Sequence, residues 1–154
     1  TDMSAVAAGS VDAVYTSHVI EHLYAHEVPA AFGEFHRVLS ADGFVVLTCP
    51  DLQSVGEQLA TGRLLAPAYM AASGPIAAID ILYGHRPSLA AGNLFMAHRT
   101  GFTAASLSRH FGAAGFAKAI VARSSTYDLW AIATKKAVTD EELNRLAARY
   151  LPRF

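Results

Sequence analysis

The sequence predicts an α/β fold with three layers, in which helices flank a partial sheet of about four strands. Residues 11–17 (VDAVYTS) and 44–49 (FVVLTC) are short, apolar and β-prone, as strands covered on both faces usually are. Between them, residues 30–39 carry apolar side chains at helical spacing. A strand, a helix and a strand of this length form a right-handed crossover, so we expect these two strands to be parallel.

The C-terminal part of the chain predicts a helix, a hairpin and a second helix. Thr103 is suited to cap a helix that Gly115 ends. Residues 117–123 and 128–134 are predicted strands, and the loop between them is too short for anything but antiparallel pairing. A capping box over residues 139–142 (TDEE) then opens the last helix.

The middle of the chain, residues 51–102, has a different character. It is rich in Ala, Gly and Pro, and it predicts short helices near residues 53–60 and 75–83 but no further strand. A connection of this length between regular elements usually has a function or is disordered.

Composition narrows the classes of function. The chain has 154 residues, a formal net charge of -1 and a single cysteine. The charge gives no electrostatic footprint for nucleic acid or an acidic membrane, and no apolar run approaches the ~20 residues of a membrane helix. One cysteine fits a reducing compartment, so we expect a cytoplasmic protein with neither nucleic-acid nor membrane partners. The 53% of hydrophobic residues indicates a well-buried sheet, a surface that meets another chain, or both.

Polar residues gather where the two predicted parallel strands end. Ser17, His18, Glu21 and His22 follow the first strand, and residues 48–51 (TCPD) end the second. In parallel sheets, ligands bind beyond the carboxyl ends of the strands, so these groups predict one shared site. Cys49 itself is expected to be buried and inert, because no cation next to it in the sequence would lower its pKa.

The middle segment carries a second set of candidates for binding a substrate: His85, Arg86, His98 and Arg99. The two guanidinium groups are suited to clamp an anionic group. They are equally suited to tie down the long connection, and the sequence leaves both roles open.

A metal site must also be weighed. His18, Glu21 and His22 match the H-x-x-E-H motif of inverted zinc proteases, which needs both imidazoles on one face of a helix. His18 directly follows a strand, however, so a helix would have to start at once. Asp80 is the one well-placed acid for a third ligand. We therefore keep a zinc hydrolase as a remote alternative and expect no metal.

The motifs taken together resemble a known family. SVDAVYTSHVIEHL followed by FHRVLSADGFVVLTCPD is similar to the second half of the class I S-adenosylmethionine-dependent methyltransferases, and GFTAASLSRHFGAAGF is similar to the helix before that family's last two strands. The resemblance implies a strand order of 4-5-7-6 in family terms, with the last strand antiparallel. It covers residues 1–136 as a partial methyltransferase domain. Residues 51–102 would then be an insertion that forms the substrate-side wall, and residues 137–154 a C-terminal helix.

The resemblance also implies roles for individual residues. Asp2 and Met3 would contact the adenine of S-adenosylmethionine, and Ser17 and His18 would contact its methionine end. Methyl transfer needs alignment of acceptor and methyl group above all. If the acceptor must lose a proton, we expect Glu21 or His22 to be the catalytic base, with His98 as the next candidate.

One departure from the family is large. The sequence contains no G-x-G motif that follows a strand and opens a helix, so we expect a fragment of a methyltransferase for a small-molecule or sugar-like acceptor that is inactive or weak alone. Without the preceding strands, residues 11–17 would be an exposed apolar edge, which predicts a homodimer through that edge. The alternative from another class is a catalytically silent, dimerising interaction module with a methyltransferase-like fold.

Overall fold

A computed structural model describes residues 2–152 and shows one mixed sheet between helices. Four strands form it in the order β1-β2-β6-β5. β1 (Val11–Ser17) runs parallel to β2 (Leu39–Pro50), while β6 (Asp128–Thr134) is antiparallel to both β2 and β5 (Lys118–Arg123). This is the predicted order, with the last strand antiparallel, and the α/β class is confirmed.

Six helices and a separate hairpin complete the described chain. The helices are α1 (Val28–Val38), α2 (Leu52–Ala60), α3 (Ala78–Tyr83), α4 (Arg86–Ala90), α5 (Ala104–Ala113) and α6 (Asp140–Tyr150), and the hairpin strands are β3 (Pro67–Ala71) and β4 (Gly74–Ala77). Short 3₁₀ turns lie at Ile20–His22 and Leu94–Met96. No helix among the described residues has both the length and the apolar character needed to cross a bilayer.

Different helices cover the two faces of the sheet, and alternate side chains of β2 pack against them. Val45, Leu47 and Cys49 pack with α1 and α5, where Phe32 and Phe111 meet edge to face with ring centroids 5.0 Å apart. Val46 points to the opposite face and packs in the cluster that contains Leu143 of α6. The three expected layers are therefore present.

The predicted helix caps are confirmed. The hydroxyl of Thr103 accepts a hydrogen bond from the backbone N–H of Ser106, and that of Thr139 accepts one from the N–H of Glu142. Both are capping boxes. In this part of the chain, local sequence and tertiary structure agree.

Two expectations about strands were wrong. The segment 51–102 was expected to contain no strand, yet it contains the hairpin β3-β4. Pro67 and Pro75 are tolerated in it because each strand has only one partner. β1 was expected to be covered on both faces, yet most of it is exposed, and Tyr15 is 66% exposed. α6 packs on the β5-β6 side of the sheet, so the β1 end of that face has no helical cover within the described chain.

Cys49 is buried and free. Burial, with Glu21 as the next cause, raises the pKa of its thiol far above the ordinary value, so the reactive thiolate is scarce at neutral pH. We expect iodoacetamide to leave Cys49 unmodified in the folded protein and to alkylate it in urea, as read by intact mass. Rapid alkylation without denaturant would contradict this burial.

Candidate functional site

A cleft of about 390 Å³ lies at the end of the sheet where β1 and β2 finish. This volume falls within the range of small-molecule pockets. The sheet and the turns that follow its strands contribute six lining residues: His18, Glu21, His22, Pro50, Tyr127 and Asp128. The opposite wall comes from the middle segment and includes Tyr69, Asp80, His85 and His98. The predicted site at the carboxyl ends of the parallel strands is therefore a real concavity.

His18 occupies a strained turn directly after β1. Its φ of 51° lies in the left-handed region, which costs a non-glycine residue roughly 1 kcal/mol or more. The backbone N–H of His18 donates to the carbonyl of Thr48 at 2.9 Å, which ties the turn to β2. Because His18 is not helical, the helix required by the inverted zinc-protease motif does not form, and only a 3₁₀ turn covers residues 20–22.

Glu21 is the most unusual side chain of the cleft. It is 1% exposed, and while Oε1 lies 3.1 Å from Nδ1 of His18, Oε2 has no hydrogen-bond partner. The hydrogen bond to Glu21 raises the pKa of His18. A buried carboxylate oxygen without a partner is costly and rare in folded proteins, so it is a strong sign that this site binds something.

Two histidines flank Glu21 with their tautomers fixed by the backbone. Nδ1 of His22 lies 3.0 Å from the carbonyl oxygen of Ala97, and Nδ1 of His98 lies 2.8 Å from that of Ile81. A carbonyl can only accept, so each Nδ1 carries the proton and each Nε2 keeps a lone pair. Burial lowers the pKa of His98, which favours its neutral form.

Backbone hydrogen bonds hold the segment around His98 against the turn that carries Glu21 and against the end of α3. The N–H groups of Arg99 and Thr100 both donate to the carbonyl of Glu21, at 2.8 and 3.2 Å, and the N–H of His98 donates to the carbonyl of Tyr83. The middle segment is thus fastened to the turn after β1. This fastening brings His98, the next candidate base of the sequence analysis, close to Glu21 and His22.

The two predicted substrate-binding arginines are engaged elsewhere. Arg86 donates from Nε and Nη2 to the two oxygens of Asp80 at 2.7 and 3.0 Å, and Arg99 lies over the ring of Tyr24, 4.6 Å from its centroid. Neither lines the cleft, whereas His85 does. Of the two roles left open for the arginines, the structure provides the one that ties down the middle segment. A contact to substrate stays a prediction.

The predicted cofactor residues fall into two groups. His18 lines the cleft, and Ser17 is the exposed last residue of β1 beside it. Asp2 and Met3 lie against α1, where the carbonyl of Met3 accepts from Arg37 and its N–H donates to Glu34. Asp2 caps its own turn by accepting from the N–H of Ser4, which lowers its pKa. Neither lines the cleft, and an adenine contact from them stays a prediction.

The sequence analysis overlooked Asp128 and Tyr127. Because β6 runs antiparallel, its first residue lies at the same rim as the last residues of β1 and β2, and Asp128 Oδ1 is 3.6 Å from Nε2 of His18. Burial raises the pKa of Asp128. Strand direction alone could have placed this residue at the site. The left-handed φ of 66° at Tyr127 had no signal in the sequence.

Asp80 anchors the outer wall, and its charge gives a testable dependence on pH. Arg86 lowers the pKa of this buried carboxyl to about 2, from an ordinary 3.8. The pair therefore adds stability above pH 4, and that stability is lost as the pH falls towards 2. We expect Asp80→Asn to lower the free energy of unfolding by about 2 kcal/mol at pH 7, because Arg86 is half exposed and screened.

Urea unfolding of both proteins at pH 5 and pH 3 tests this assignment. The difference between wild type and Asp80→Asn should shrink by roughly 0.5 to 1 kcal/mol over this interval. A difference that is constant with pH would show that Asp80 acts only through neutral hydrogen bonds.

Comparisons with known proteins agree with this geometry. Residues 1–47 match the family model described as a methyltransferase domain. A search of curated protein sequences found no match. Among solved structures, the CMeT domain of the citrinin polyketide synthase superimposes with a TM-score of 0.54 at 10% identity, covering 90% of this chain and 30% of that one. The fold is that of the class I S-adenosylmethionine-dependent methyltransferases.

Two further methyltransferases show the same relation. A possible histamine N-methyltransferase of Thermotoga maritima gives a TM-score of 0.52 at 12% identity, covering 85% of this chain and 58% of that one. A methyltransferase of Archaeoglobus fulgidus gives 0.51 at 12% identity, covering 86% and 62%. The chain thus spans only 30% to 62% of the length of these three methyltransferase structures. The predicted resemblance to this family is confirmed.

Proposed function

We propose that this chain is part of an S-adenosylmethionine-dependent methyltransferase that methylates a small-molecule or sugar-like acceptor. The observation that carries the proposal is the cleft at the carboxyl ends of β1 and β2, formed partly by the segment that matches the methyltransferase family. This is where α/β sheets of this kind bind their ligands. The cleft volume of about 390 Å³ suits a small acceptor.

In this proposal, the chain's own residues align the acceptor and accept its proton. The methyl group on a sulfonium is already activated, so positioning contributes most of the acceleration. His22 is suited to be the base because its Nδ1–H is held by Ala97, which leaves Nε2 free to take a proton. Glu21 is the other candidate, and its unpartnered Oε2 is buried beside the same cleft. His98 is the next candidate, since its Nδ1–H is held by the carbonyl of Ile81.

We further propose that the chain alone binds the cofactor weakly, because no glycine-rich loop in residues 2–152 follows a strand and opens a helix. Calorimetry with S-adenosylhomocysteine on this chain, and on a form extended by whatever its reading frame encodes upstream of Thr1, tests both parts. We expect weak or no binding by residues 1–154 alone and clear binding by an extended form that supplies a strand and a glycine-rich turn. No binding by such an extended form would contradict methyl transfer and favour the silent interaction module.

The assignment of His22 as the general base is tested in an extended form of the protein that has methyltransferase activity. His22→Ala should lower kcat by roughly 100-fold or more if His22 is the base. His26→Ala is the matched control, since His26 is an exposed residue one turn further on that stacks on Tyr24. Full activity of His22→Ala would remove His22 from this role.

We also propose that the isolated chain dimerises in a reducing cytoplasm through the β1 edge, residues 11–17. Within the described chain β1 pairs only with β2, and Tyr15 is exposed on it; an open apolar edge is a template for another strand. Sedimentation should show a dimer that Tyr15→Lys weakens and Leu65→Lys, at an equally exposed loop position, leaves intact. A stable monomer would contradict this.

A further inference from the structure

The strongest unexplained feature of the molecule is the group formed by Glu21, His22 and His98. Each residue offers one potential ligand atom, and the three atoms lie within 4.8 Å of one another. The two imidazole rings meet edge to face with centroids 4.9 Å apart. We propose that these three side chains bind one divalent transition-metal ion, with Zn²⁺ as the ion that fits best.

The donor set supports this assignment. Two imidazoles and one carboxylate are the three protein ligands of many catalytic zinc sites, in which the fourth position is left for water or substrate. Ions that prefer only oxygen ligands, such as Mg²⁺ and Ca²⁺, are disfavoured by two nitrogen donors. The ligand set differs from the one weighed in the sequence analysis, because His98 replaces His18 and Glu21 replaces Asp80.

The orientation of the histidines is the second observation. Metal-binding histidines usually donate their other N–H to a carbonyl or carboxylate, which fixes the ring and its tautomer. Both histidines do this through Nδ1, to Ala97 and to Ile81. Neither ring needs to change its tautomer for its Nε2 to bind a cation.

The unpartnered oxygen of Glu21 is the third observation. Oε2 is buried without any hydrogen-bond partner, while Oε1 is held by His18. A cation would satisfy this oxygen and neutralise the carboxylate. Ligand atoms at 2.0–2.1 Å from a tetrahedral zinc ion lie about 3.3 Å from one another. The three atoms here lie within 4.8 Å of one another, so side-chain shifts of up to about 1.5 Å would bring them to that spacing.

An ion bound by these three residues would lie at the wall of the cleft, within reach of a bound acceptor. All three residues line the cleft, so an open coordination site would face a bound acceptor. Coordination of the acceptor's hydroxyl or amine lowers the pKa of that group, so its proton would pass to a solvent water in the cleft and no side-chain base would be needed. Only this role of the ion rests on the proposed methyl transfer; the binding site itself does not.

Calorimetry with ZnCl₂ alone, on protein freed of metal by EDTA, tests the site without cofactor or acceptor. We expect one ion per chain, and visible absorption bands of tetrahedral or five-coordinate geometry when Co²⁺ replaces Zn²⁺. Glu21→Gln, His22→Gln and His98→Gln should each weaken binding by at least about 100-fold, the upper end of what loss of a supporting residue alone costs. His26→Gln is the matched control and should bind as wild type does.

The result that would overturn the proposal is no binding of Zn²⁺ by the wild type, or undiminished binding by a folded His98→Gln variant. If the variants fail to fold, chemical modification of the wild-type protein still tests the site. Zn²⁺ should protect His22 and His98, but not His26, from carbethoxylation as read by peptide mass. Equal modification with and without Zn²⁺ would also overturn it. Because S-adenosylhomocysteine binding is measured separately, failure of this site and failure of the methyltransferase proposal are distinguishable.

Discussion

Gly84→Ala is expected to lower the free energy of unfolding by at least about 3 kcal/mol. Gly84 follows α3 with a φ of 100°, and an added Cβ would lie 1.9 Å from the carbonyl oxygen of Met96. That contact is with backbone, so no side-chain rotation can relieve it. The segment that carries His98 must move away, and the wall of the cleft with it.

Gly92→Ala separates the cost of the positive φ from the cost of the steric clash with Met96. Gly92 has a similar φ of 88°, but nothing lies within 4 Å of the position of its Cβ. It should cost only about 1 kcal/mol, the price of the left-handed conformation alone. Urea unfolding of the two variants gives the comparison directly. Equal costs would mean that the close approach of residues 84 and 96 contributes nothing.

Asp51→Ala is the second large effect, with an expected loss of about 3 to 4 kcal/mol. Asp51 is fully buried at the end of β2, where Oδ1 caps α2 by accepting from the N–H of Gln53. Its Oδ2 accepts from Ser54 at 2.7 Å and from Nε of Arg123 at 2.6 Å. One side chain therefore joins β2, α2 and β5, and its removal takes the acceptor from the N–H of Gln53, the hydroxyl of Ser54 and the Nε–H of Arg123.

Glu57→Gln is the matched control for Asp51→Ala. Glu57 also accepts from Arg123, at 2.9 Å, but its side chain is 59% exposed. An exposed pair of this kind contributes little, so we expect a change below about 0.5 kcal/mol by thermal or urea unfolding. A cost for Asp51→Ala no greater than this would show that the buried network does not hold these elements together.

Asp51 also shows where sequence reasoning about the site reaches its limit. Its position after a buried strand predicted a rim residue, and it does follow the last residue of β2 directly. The polar group is nevertheless fully enclosed by the cap of α2 and by Arg123, which is 72 residues away in sequence. Whether a polar residue at a strand end faces a ligand or a helix cap depends on what packs next to it.

The sequence by itself determined the sheet of this protein and one side of its site. The apolar runs and the crossover helix predicted that β1 and β2 are parallel, and the short loop at residues 124–127 predicted an antiparallel hairpin, because these features depend on local patterns and chain direction. The order of the four strands came from the resemblance to the methyltransferase family. Local patterns and chain direction also placed Glu21 and His22 at the strand ends. The joining of His22 to Ala97 across 75 residues was decided only by the tertiary structure. Close packing of the middle segment on the turn after β1 buries Glu21, orients both histidines and leaves one carboxylate oxygen free to bind a cation.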